Sequence, residues 1–322
     1  MKFFSAVIRH VIYSLLLLLA VLVLNFFLIQ LAQGDPVQTI VGEMGGATPE
    51  IIAQIRAEYE LDKSLPQQLF TYIRRAAGGN LGKSFHYNEP VTKLIFQRMG
   101  GTLLLTISAL VIAVIVGTVL GVLSAQKPRG VLNQFVTVFS LIGYSAPVFW
   151  TGIMLLILLA YLFPLFPSFG MQTVGFRGSL WEHTWDILRH LVLPAFTLAS
   201  VYLALFSRLS RASMLDVLVS DYIRTARAKG LSEGVVVYQH ALKNALIPVV
   251  TMAGLQFSRV LAGAVVVETV FSWPGMGLLA FESILRRDHT LLLGILFFST
   301  FIVVIINILT DLSYRLLDPR IK

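Results

Sequence analysis

The sequence predicts an all-α membrane protein with six transmembrane helices, and the composition and the lengths of the apolar stretches support this. Of the 322 residues, 56% are hydrophobic and 13% are charged, which is about half the charged fraction of soluble domains. The mean hydropathy is +0.79. A helix needs about 20 apolar residues to span a bilayer, and six stretches reach that length, near residues 11–32, 102–124, 136–163, 191–211, 246–268 and 291–311.

The first apolar stretch has the basic flank of a signal peptide, formed by Lys2 and Arg9. Its apolar run is longer than the hydrophobic region of such a peptide, and no A-x-A cleavage pattern precedes Gly34. We therefore interpret residues 1–33 as a transmembrane helix that stays in the protein.

The second and third apolar stretches each contain a packing feature. Gly117 and Gly121 form a G-x-x-x-G pattern in the second stretch, and this spacing is typical of a close-packing helix face. Pro147 falls inside the third stretch, where the missing N–H of proline predicts a kink.

Residues 34–97, between the first and second stretches, are polar and predict a loop with short helices. Thr48 and the proline after it indicate a capped helix that runs through Tyr59. A second helix is predicted to begin at Pro66 and to run through Arg75. We interpret this loop as a lid or a packing element.

The placement of basic residues predicts the topology. The loops on one side of six spans carry 13 Lys and Arg residues against 5 Asp and Glu, and they comprise residues 1–10, 125–135, 208–245 and 311–322. The opposite loops carry 11 of each, but only 4 of these basic residues lie outside the 33–101 loop, which is too long for the charge bias to count. Because basic residues accumulate on the cytoplasmic side, both termini are predicted to be cytoplasmic. The net charge of +8 therefore reflects topology, and no nucleic-acid partner is predicted.

No catalytic, metal-binding or cofactor-binding residue is predicted. Residues 78–84 resemble a phosphate-binding loop, but Ala77 replaces its first glycine and no strand precedes it. The six histidines lack the spacing of metal ligands, and the chain has no cysteine.

Two charged residues lie in the fifth stretch, where burial of charge is costly. Arg259 and Glu268 are nine residues apart, so a regular helix places them on opposite faces. With Ser272 and Trp273 they form a candidate translocation pathway, in which Glu268 faces an outer vestibule and Arg259 pairs with a neighbouring helix or subunit. Two interhelical salt bridges are the alternative interpretation.

The polar loop between the fourth and fifth stretches, residues 212–245, predicts a helix–turn–helix protrusion. Helix-forming residues lead up to Gly230, which is a natural helix stop. A second helical run then continues to Asn244. Such a protrusion can dock on a partner, and an ordinary solvated connector is the alternative.

This loop resembles the "EAA" loop of binding-protein-dependent ABC importer permeases, in particular the first permease subunit of the dipeptide, oligopeptide and nickel group. The resemblance covers nearly the whole chain, and it includes Asp221–Leu231, His240–Ala245, Pro248, Gly34–Pro36, Asn80–Ser84, Gly143–Trp150, Glu268–Gly277 and Leu317–Arg320. The general pattern has Glu-Ala-Ala where this chain has Arg224, Thr225 and Ala226, a departure that is itself typical of the peptide group.

The resemblance implies a type I ABC importer transmembrane domain over residues 98–311 and a cytoplasmic tail over 312–322. It also implies that the polar loop contains a coupling helix that docks on a separate ATPase. The residues implied in coupling are Tyr222, Arg224, Thr225, Ala226, Arg227, Ala228, Lys229, Gly230, Leu231, His240 and Asn244.

The partners that the resemblance implies are a second, homologous permease, two cytoplasmic ATPase subunits and an extracytoplasmic solute-binding protein. ATP and Mg²⁺ would be bound by the ATPases, and the chain itself would be a multi-pass protein of a bacterial cytoplasmic membrane that is not an enzyme.

The substrate stays open at this point. Di- and oligopeptides are the first choice, and glutathione, nickel chelates or another peptide-like solute are alternatives. A stand-alone channel or secondary transporter is the alternative from another class. Inverted repeats would favour it, and the sequence has no clear internal repeat.

Overall fold

A computed structural model describes residues 2–31, 48–58, 63–84, 86–126 and 130–317, except 132, 135, 137, 139–142 and 144. This part of the chain is mostly helical and contains no β-strand; Lys83 and Pro90 form an isolated antiparallel bridge. It divides into two compact units, residues 1–98 with 279–308 and residues 99–278 with 309–322.

The helices are named here in chain order. They are α1 (Lys2–Leu31), α2 (Pro49–Glu58), α3 (Leu65–Ala77), α4 (Val91–Gln126), α5 (Val148–Leu155), α6 (Leu180–Leu218), α7 (Asp221–Ala228), α8 (Leu242–Val270), α9 (Met276–Leu285) and α10 (His289–Leu317). A π-helical segment, Leu156–Leu162, follows α5. A short helix over Glu233–Val235 and a second π-helical segment, Val236–Ala241, precede α8.

Three helices of the described part are long and apolar enough to cross a membrane: α4, α6 and residues His289–Thr310 of α10. They correspond to the second, fourth and sixth predicted spans. Shorter apolar runs occur over Ile12–Leu28 and Val148–Leu162. The total of six spans stays a prediction.

In the first unit, α2 and α3 begin close to the predicted prolines at 49 and 66. The helix α1 is held within this unit by the side-chain amide of Asn25, which donates to the carbonyl oxygen of Leu293 at 3.2 Å. The ring of Phe26 lies 6.1 Å from that of Tyr72 in α3.

The sequence that resembles a phosphate-binding loop has a structural role in the same unit. The hydroxyl of Ser84 donates a hydrogen bond to the buried carboxylate of Asp288. Asp288 precedes α10 and also accepts from the N–H of Leu291 at 3.0 Å, as an N-terminal helix cap does. This loop therefore packs against the start of α10.

In the second unit, α4 and α6 pack closely through the predicted glycine face. A Cβ atom on Gly117 would lie 2.8 Å from the Cβ of Phe206, and one on Gly121 would lie 2.5 Å from the carbonyl oxygen of Ser207. Since real Cβ atoms do not approach so closely, both positions require glycine. The close-packing prediction is confirmed.

The third predicted span is interrupted at Pro147. Ala146 and Pro147 are not helical, and α5 begins at Val148 with Pro147 as its N-cap. Because proline lacks an N–H and clashes with the preceding turn, the chain starts a new helix there. The predicted interruption of the helix at this proline is confirmed.

The helix α6 is 39 residues long and starts with a capping box. The N–H of Ser179 donates to the carboxylate of Glu182 at 2.7 Å, and the hydroxyl of Ser179 accepts from the N–H of Glu182. The carboxylate lies beside the positive end of the helix dipole, where negative charge is favoured.

Candidate functional site

The polar loop predicted to protrude contains α7, and the hydrogen bonds at its C-terminus explain where it ends. The N–H of Gly230 donates to the carbonyl of Arg227 at 2.9 Å, and that of Leu231 donates to the carbonyl of Ala226 at 3.4 Å. This pair of bonds is a Schellman motif, which requires a left-handed residue after the helix. Gly230 has φ +76° and fulfils that requirement, so the predicted helix stop is confirmed.

One face of α7 packs into an apolar cluster. Ile223 and Ala226 are three residues apart, which places them on the same side of the helix, and both are buried. They join residues from α4, α6 and the start of α8 in a cluster of Val122, Ala125, Met214, Ile223, Ala226, Val236, Val237, Ala241 and Ala245. This burial fixes which face of α7 remains exposed.

Two polar contacts tie the ends of α7 to the segment that follows it. The amide of Asn244 donates to the hydroxyl of Tyr222 at 2.8 Å. Arg227 donates from Nη2 and Nε to the two carboxylate oxygens of Glu233, at 2.7 and 3.2 Å. A third donor, Nη1, reaches the carbonyl of Leu218 at 3.4 Å.

The ion pair between Arg227 and Glu233 changes the titration of both groups. Their hydrogen bond raises the pKa of Arg227 and lowers the pKa of Glu233. Both groups are therefore charged at neutral pH. Their side chains are 43% and 62% exposed, so salt weakens the attraction between them.

The opposite face of α7 is exposed and polar. It consists of Asp221, Arg224, Thr225 and Ala228, whose spacing of three and four residues forms one continuous stripe on a helix. Lys229 is exposed just beyond the C-terminus. This stripe is available to a partner.

The segment after Gly230 runs into α8 without interruption. Residues Val236–Ala241 are π-helical, and Tyr238 in this segment accepts a hydrogen bond from the amide of Gln126 in α4 at 3.1 Å. His240 is exposed. The predicted second helical run is thus the beginning of the long α8 helix.

A second polar cluster surrounds Glu268, whose side chain is fully buried near the end of α8. Its carboxylate accepts hydrogen bonds from the hydroxyl of Thr102 at 2.7 Å and from the N–H groups of Gly277 and Leu278 at 2.7 and 3.0 Å. These N–H groups belong to the first turn of α9, where backbone donors lack intrahelical acceptors and negative charge is favoured. Glu268 therefore caps α9.

Glycines and a tryptophan complete this cluster. A Cβ atom on Gly275 would lie 2.2 Å from the Glu268 carboxylate, and one on Gly277 would lie 2.5 Å from the backbone of α8. Trp273 is buried, and its indole N–H donates to the carbonyl of Gly101 at 2.8 Å. Close packing thus accounts for the residue types in Trp273–Gly277.

The structure separates the four predicted pathway residues. Glu268 and Trp273 are buried within the cluster, whereas Ser272 is exposed with φ +48°. Arg259 lies in α8, and its side chain falls outside the described part. The pathway role of the four residues, including the outer vestibule that Glu268 was expected to face, stays a prediction.

Two contributors to these clusters were not predicted from the sequence. Glu233 was not singled out, although an acidic residue three positions after a helix-stop glycine can reach back to a basic one. Thr102 is far from Glu268 in sequence, and only the fold brings it to the carboxylate. Among the described residues, no group of His, Asp and Glu is arranged to hold a metal ion.

The fold is similar to solved ABC importers. A structure titled "Inward facing conformations of the MetNI methionine ABC transporter" superposes with a TM-score of 0.56 at 17% identity, over 70% of this chain and 96% of that one. At this identity the likeness defines the fold, which is that of a type I ABC importer transmembrane domain.

Residues 117–322 match the family described as "Binding-protein-dependent transport system inner membrane component", and residues 2–106 match its N-terminal counterpart. The chain belongs to this family. It is a component of an inner membrane transport system.

Relatives match along nearly the whole chain. The "Dipeptide transport system permease protein DppB" of Alkalihalophilus pseudofirmus is 40% identical, over 96% of this chain and 97% of the relative. A "Putative peptide permease protein" of Brucella suis is 41% identical over 95% of both chains. The DppB protein of Escherichia coli is 38% identical over 94% of both.

Proposed function

We propose that this chain forms one half of the transmembrane pathway for di- and oligopeptides in an ATP-driven importer. The observation that carries this proposal is that relatives named as dipeptide or peptide permeases share 38–41% of their residues with nearly the full chain. Glutathione, a nickel chelate or another peptide-like solute is the alternative substrate. A stand-alone channel is disfavoured, because the family is described as binding-protein-dependent.

The proposed assembly contains a second, homologous permease, two cytoplasmic ATPases that bind ATP and Mg²⁺, and an extracytoplasmic binding protein. This chain would supply no catalytic group. It lies in the bacterial cytoplasmic membrane with both termini in the cytoplasm, an orientation supported by the excess of basic residues in the loops on that side.

The proposed coupling element is α7. Its exposed stripe of Asp221, Arg224, Thr225 and Ala228 would dock on an ATPase subunit, while Ile223 and Ala226 anchor it to the permease. Closure of the ATPase pair would then move this loop as a rigid body and switch the pathway between inward- and outward-facing states.

The substrate is tested by uptake in a bacterial host that lacks its own peptide importers. The host expresses this chain with the second permease, the ATPases and the binding protein of its own transport system. We expect accumulation of a radiolabelled dipeptide, and we expect unlabelled di- and oligopeptides to compete. Competition by glutathione or a nickel chelate without competition by peptides would contradict the peptide assignment.

A further inference from the structure

We propose that Tyr222, Arg227, Glu233 and Asn244 are positioning residues that brace α7, and that they do not themselves contact the ATPase. This inference rests on the proposed coupling role of the loop. It divides the exposed polar residues of the loop into two groups, those bound within the permease and those left for the partner.

The guanidinium group of Arg227 is committed to acceptors of its own chain. It binds both carboxylate oxygens of Glu233, at 2.7 and 3.2 Å, and also reaches the carbonyl of Leu218 at 3.4 Å. Leu218 ends α6 and Glu233 lies beyond the turn at Gly230. One side chain therefore joins the helix before α7, α7 itself and the segment after it.

The hydrogen bond between Asn244 and Tyr222 braces the other end of α7. It joins the first turn of α7 to the first turn of α8 at 2.8 Å. The buried residues Ile223 and Ala226 lie between the two braces in sequence. An apolar contact flanked by two directional polar contacts restricts both sliding and rotation of so short a helix.

The charged residues on the exposed stripe of α7 are more exposed than Arg227 and are bound less tightly within the permease. The side chains of Arg224 and Asp221 are 72% and 96% exposed, and their mutual contact is a single hydrogen bond of 3.4 Å. These charges are free to change partner at little cost, because a long single contact in water contributes little. The bidentate pair of Arg227 would have to be broken before a partner could use it.

Bracing is useful because a coupling element must transmit movement without bending. A short helix that pivoted on its two buried residues would absorb the movement of the ATPases. Each exposed polar brace is expected to change the population of the correctly oriented helix by up to about five-fold.

The inference is tested by charge exchange in the complete importer reconstituted in proteoliposomes. Dipeptide uptake and ATP hydrolysis are measured in the same preparation for Arg227→Glu, Glu233→Arg and the double variant. We expect each single variant to lower the ratio of uptake to hydrolysis by about three- to five-fold, and we expect the double variant to recover most of it.

The control is the matched pair Arg224→Glu and Asp221→Arg on the exposed stripe. We expect the permease with Arg224→Glu to retain less of the ATPase during purification. We do not expect the addition of Asp221→Arg to this variant to restore the retention. A double variant of Arg227 and Glu233 that transports no better than its worse single variant would overturn the inference, because an ATPase contact of Arg227 is not restored by Glu233→Arg.

A cross-linking experiment gives an independent readout. The chain has no cysteine, so the double variant Arg227→Cys/Glu233→Cys carries the only thiols of this subunit. We expect its coupling ratio to be low and to rise when a bis-maleimide bridges the two thiols, with both single-cysteine variants unaffected by bridging. No rise in a sample with confirmed cross-links would contradict bracing.

These outcomes separate the inference from the proposed function. If the unaltered importer takes up no peptide, the proposed substrate is wrong. If it takes up peptide and variants of the stripe stay fully coupled, the docking role of α7 is wrong. If only the charge exchange and the cross-link fail to restore coupling, the bracing role alone is wrong.

Discussion

At the scale of single residues, the buried carboxylate of Glu268 determines the conformation of the loop between α8 and α9. It accepts hydrogen bonds from one hydroxyl and two backbone N–H groups. The hydroxyl of Thr102 has a double role, because it also accepts from the N–H of Met276 at 2.7 Å. Removing either side chain takes hydrogen bonds away from buried polar groups.

We therefore expect Thr102→Val to lower the stability of the subunit by about 1–3 kcal/mol, because two buried polar groups each lose a hydrogen bond. The measurement is the thermal melting temperature of the purified permease pair. Thr102→Ser keeps the hydroxyl and is the matched control. Equal melting temperatures for the Val and Ser variants would contradict the hydrogen-bonding role.

The variant Glu268→Gln separates structural capping from a role in the pathway. The amide nitrogen of Gln donates and cannot accept, so one acceptor of the capping group is lost. We expect a lower melting temperature. An unchanged melting temperature together with an altered transport rate or substrate range would instead support the outer vestibule.

The sequence predicts most clearly the roles of residues that act on the backbone close to them along the chain. Gly230 is recognised as a helix stop because glycine adopts the left-handed conformation without strain. The role of Glu268 was not predicted, because its partner Thr102 is distant in sequence and hydrophobic patterns do not reveal such contacts. Arg227 was assigned to coupling without its partner Glu233, although the two are only six residues apart, because the turn at Gly230 brings them together.

At the scale of helices, the contact of α4 with α6 depends on the absence of side chains. We expect Gly121→Ala to destabilise the subunit by about 1–3 kcal/mol, since its Cβ would lie 2.5 Å from a backbone oxygen of α6 and closely packed helices cannot easily move apart. The measurement is again the melting temperature of the purified permease pair.

The matched control lies in the same helix. A Cβ on Gly100 would meet no atom within 4 Å, and replacing a helical glycine by alanine is otherwise favourable. Gly100→Ala is expected to melt at or above the temperature of the unaltered protein. Similar destabilisation by both variants would contradict the packing role of Gly121.

The turn after α7 provides a second test at this scale. Proline cannot adopt the φ of +76° observed at Gly230, and it would remove the N–H that donates to Arg227. We expect Gly230→Pro to retain ATP hydrolysis and to lose most peptide uptake in proteoliposomes.

Gly234 is the control position for this turn, because it is helical and a Cβ there would meet no atom within 4 Å. The variant Gly234→Ala is expected to take up peptide normally. Fully coupled uptake by Gly230→Pro would count against the docking role of the loop.

Helix boundaries were predicted unevenly, for identifiable reasons. The helices α2 and α3 have capping residues and prolines at their starts, so their positions follow from sequence. The ten-residue helix α9 was missed, because it lies in a stretch interpreted as a loop between spans. The interruption at Pro147 was predicted, because proline cannot donate the backbone hydrogen bond that a continuous helix needs.

At the scale of the whole molecule, the basic residues predict an orientation that can be measured. Val174 is 99% exposed in the loop before α6, and Lys229 is exposed after α7. Because the chain lacks cysteine, single-cysteine variants at these positions report sidedness directly. In intact spheroplasts, we expect an impermeant maleimide to label the Val174→Cys variant but not the Lys229→Cys variant.

Permeabilised spheroplasts provide the control, and both variants are expected to react in them. Labelling of Lys229→Cys in intact spheroplasts would place the loop outside and exclude its contact with a cytoplasmic ATPase.

The overall class of the protein was predictable because its motifs occur along the full chain. The grouping of residues 279–308 with the N-terminal unit was not predictable, because the order of segments along the chain does not indicate which distant segments pack together.

The length of α6 restricts how this protein can evolve. The helix is continuous over 39 residues from its capping box to the polar loop. One inserted or deleted residue would rotate everything after it by about 100° and shift it by about 1.5 Å. We therefore expect insertions and deletions among homologues to be excluded from this helix, with substitutions as its main form of variation.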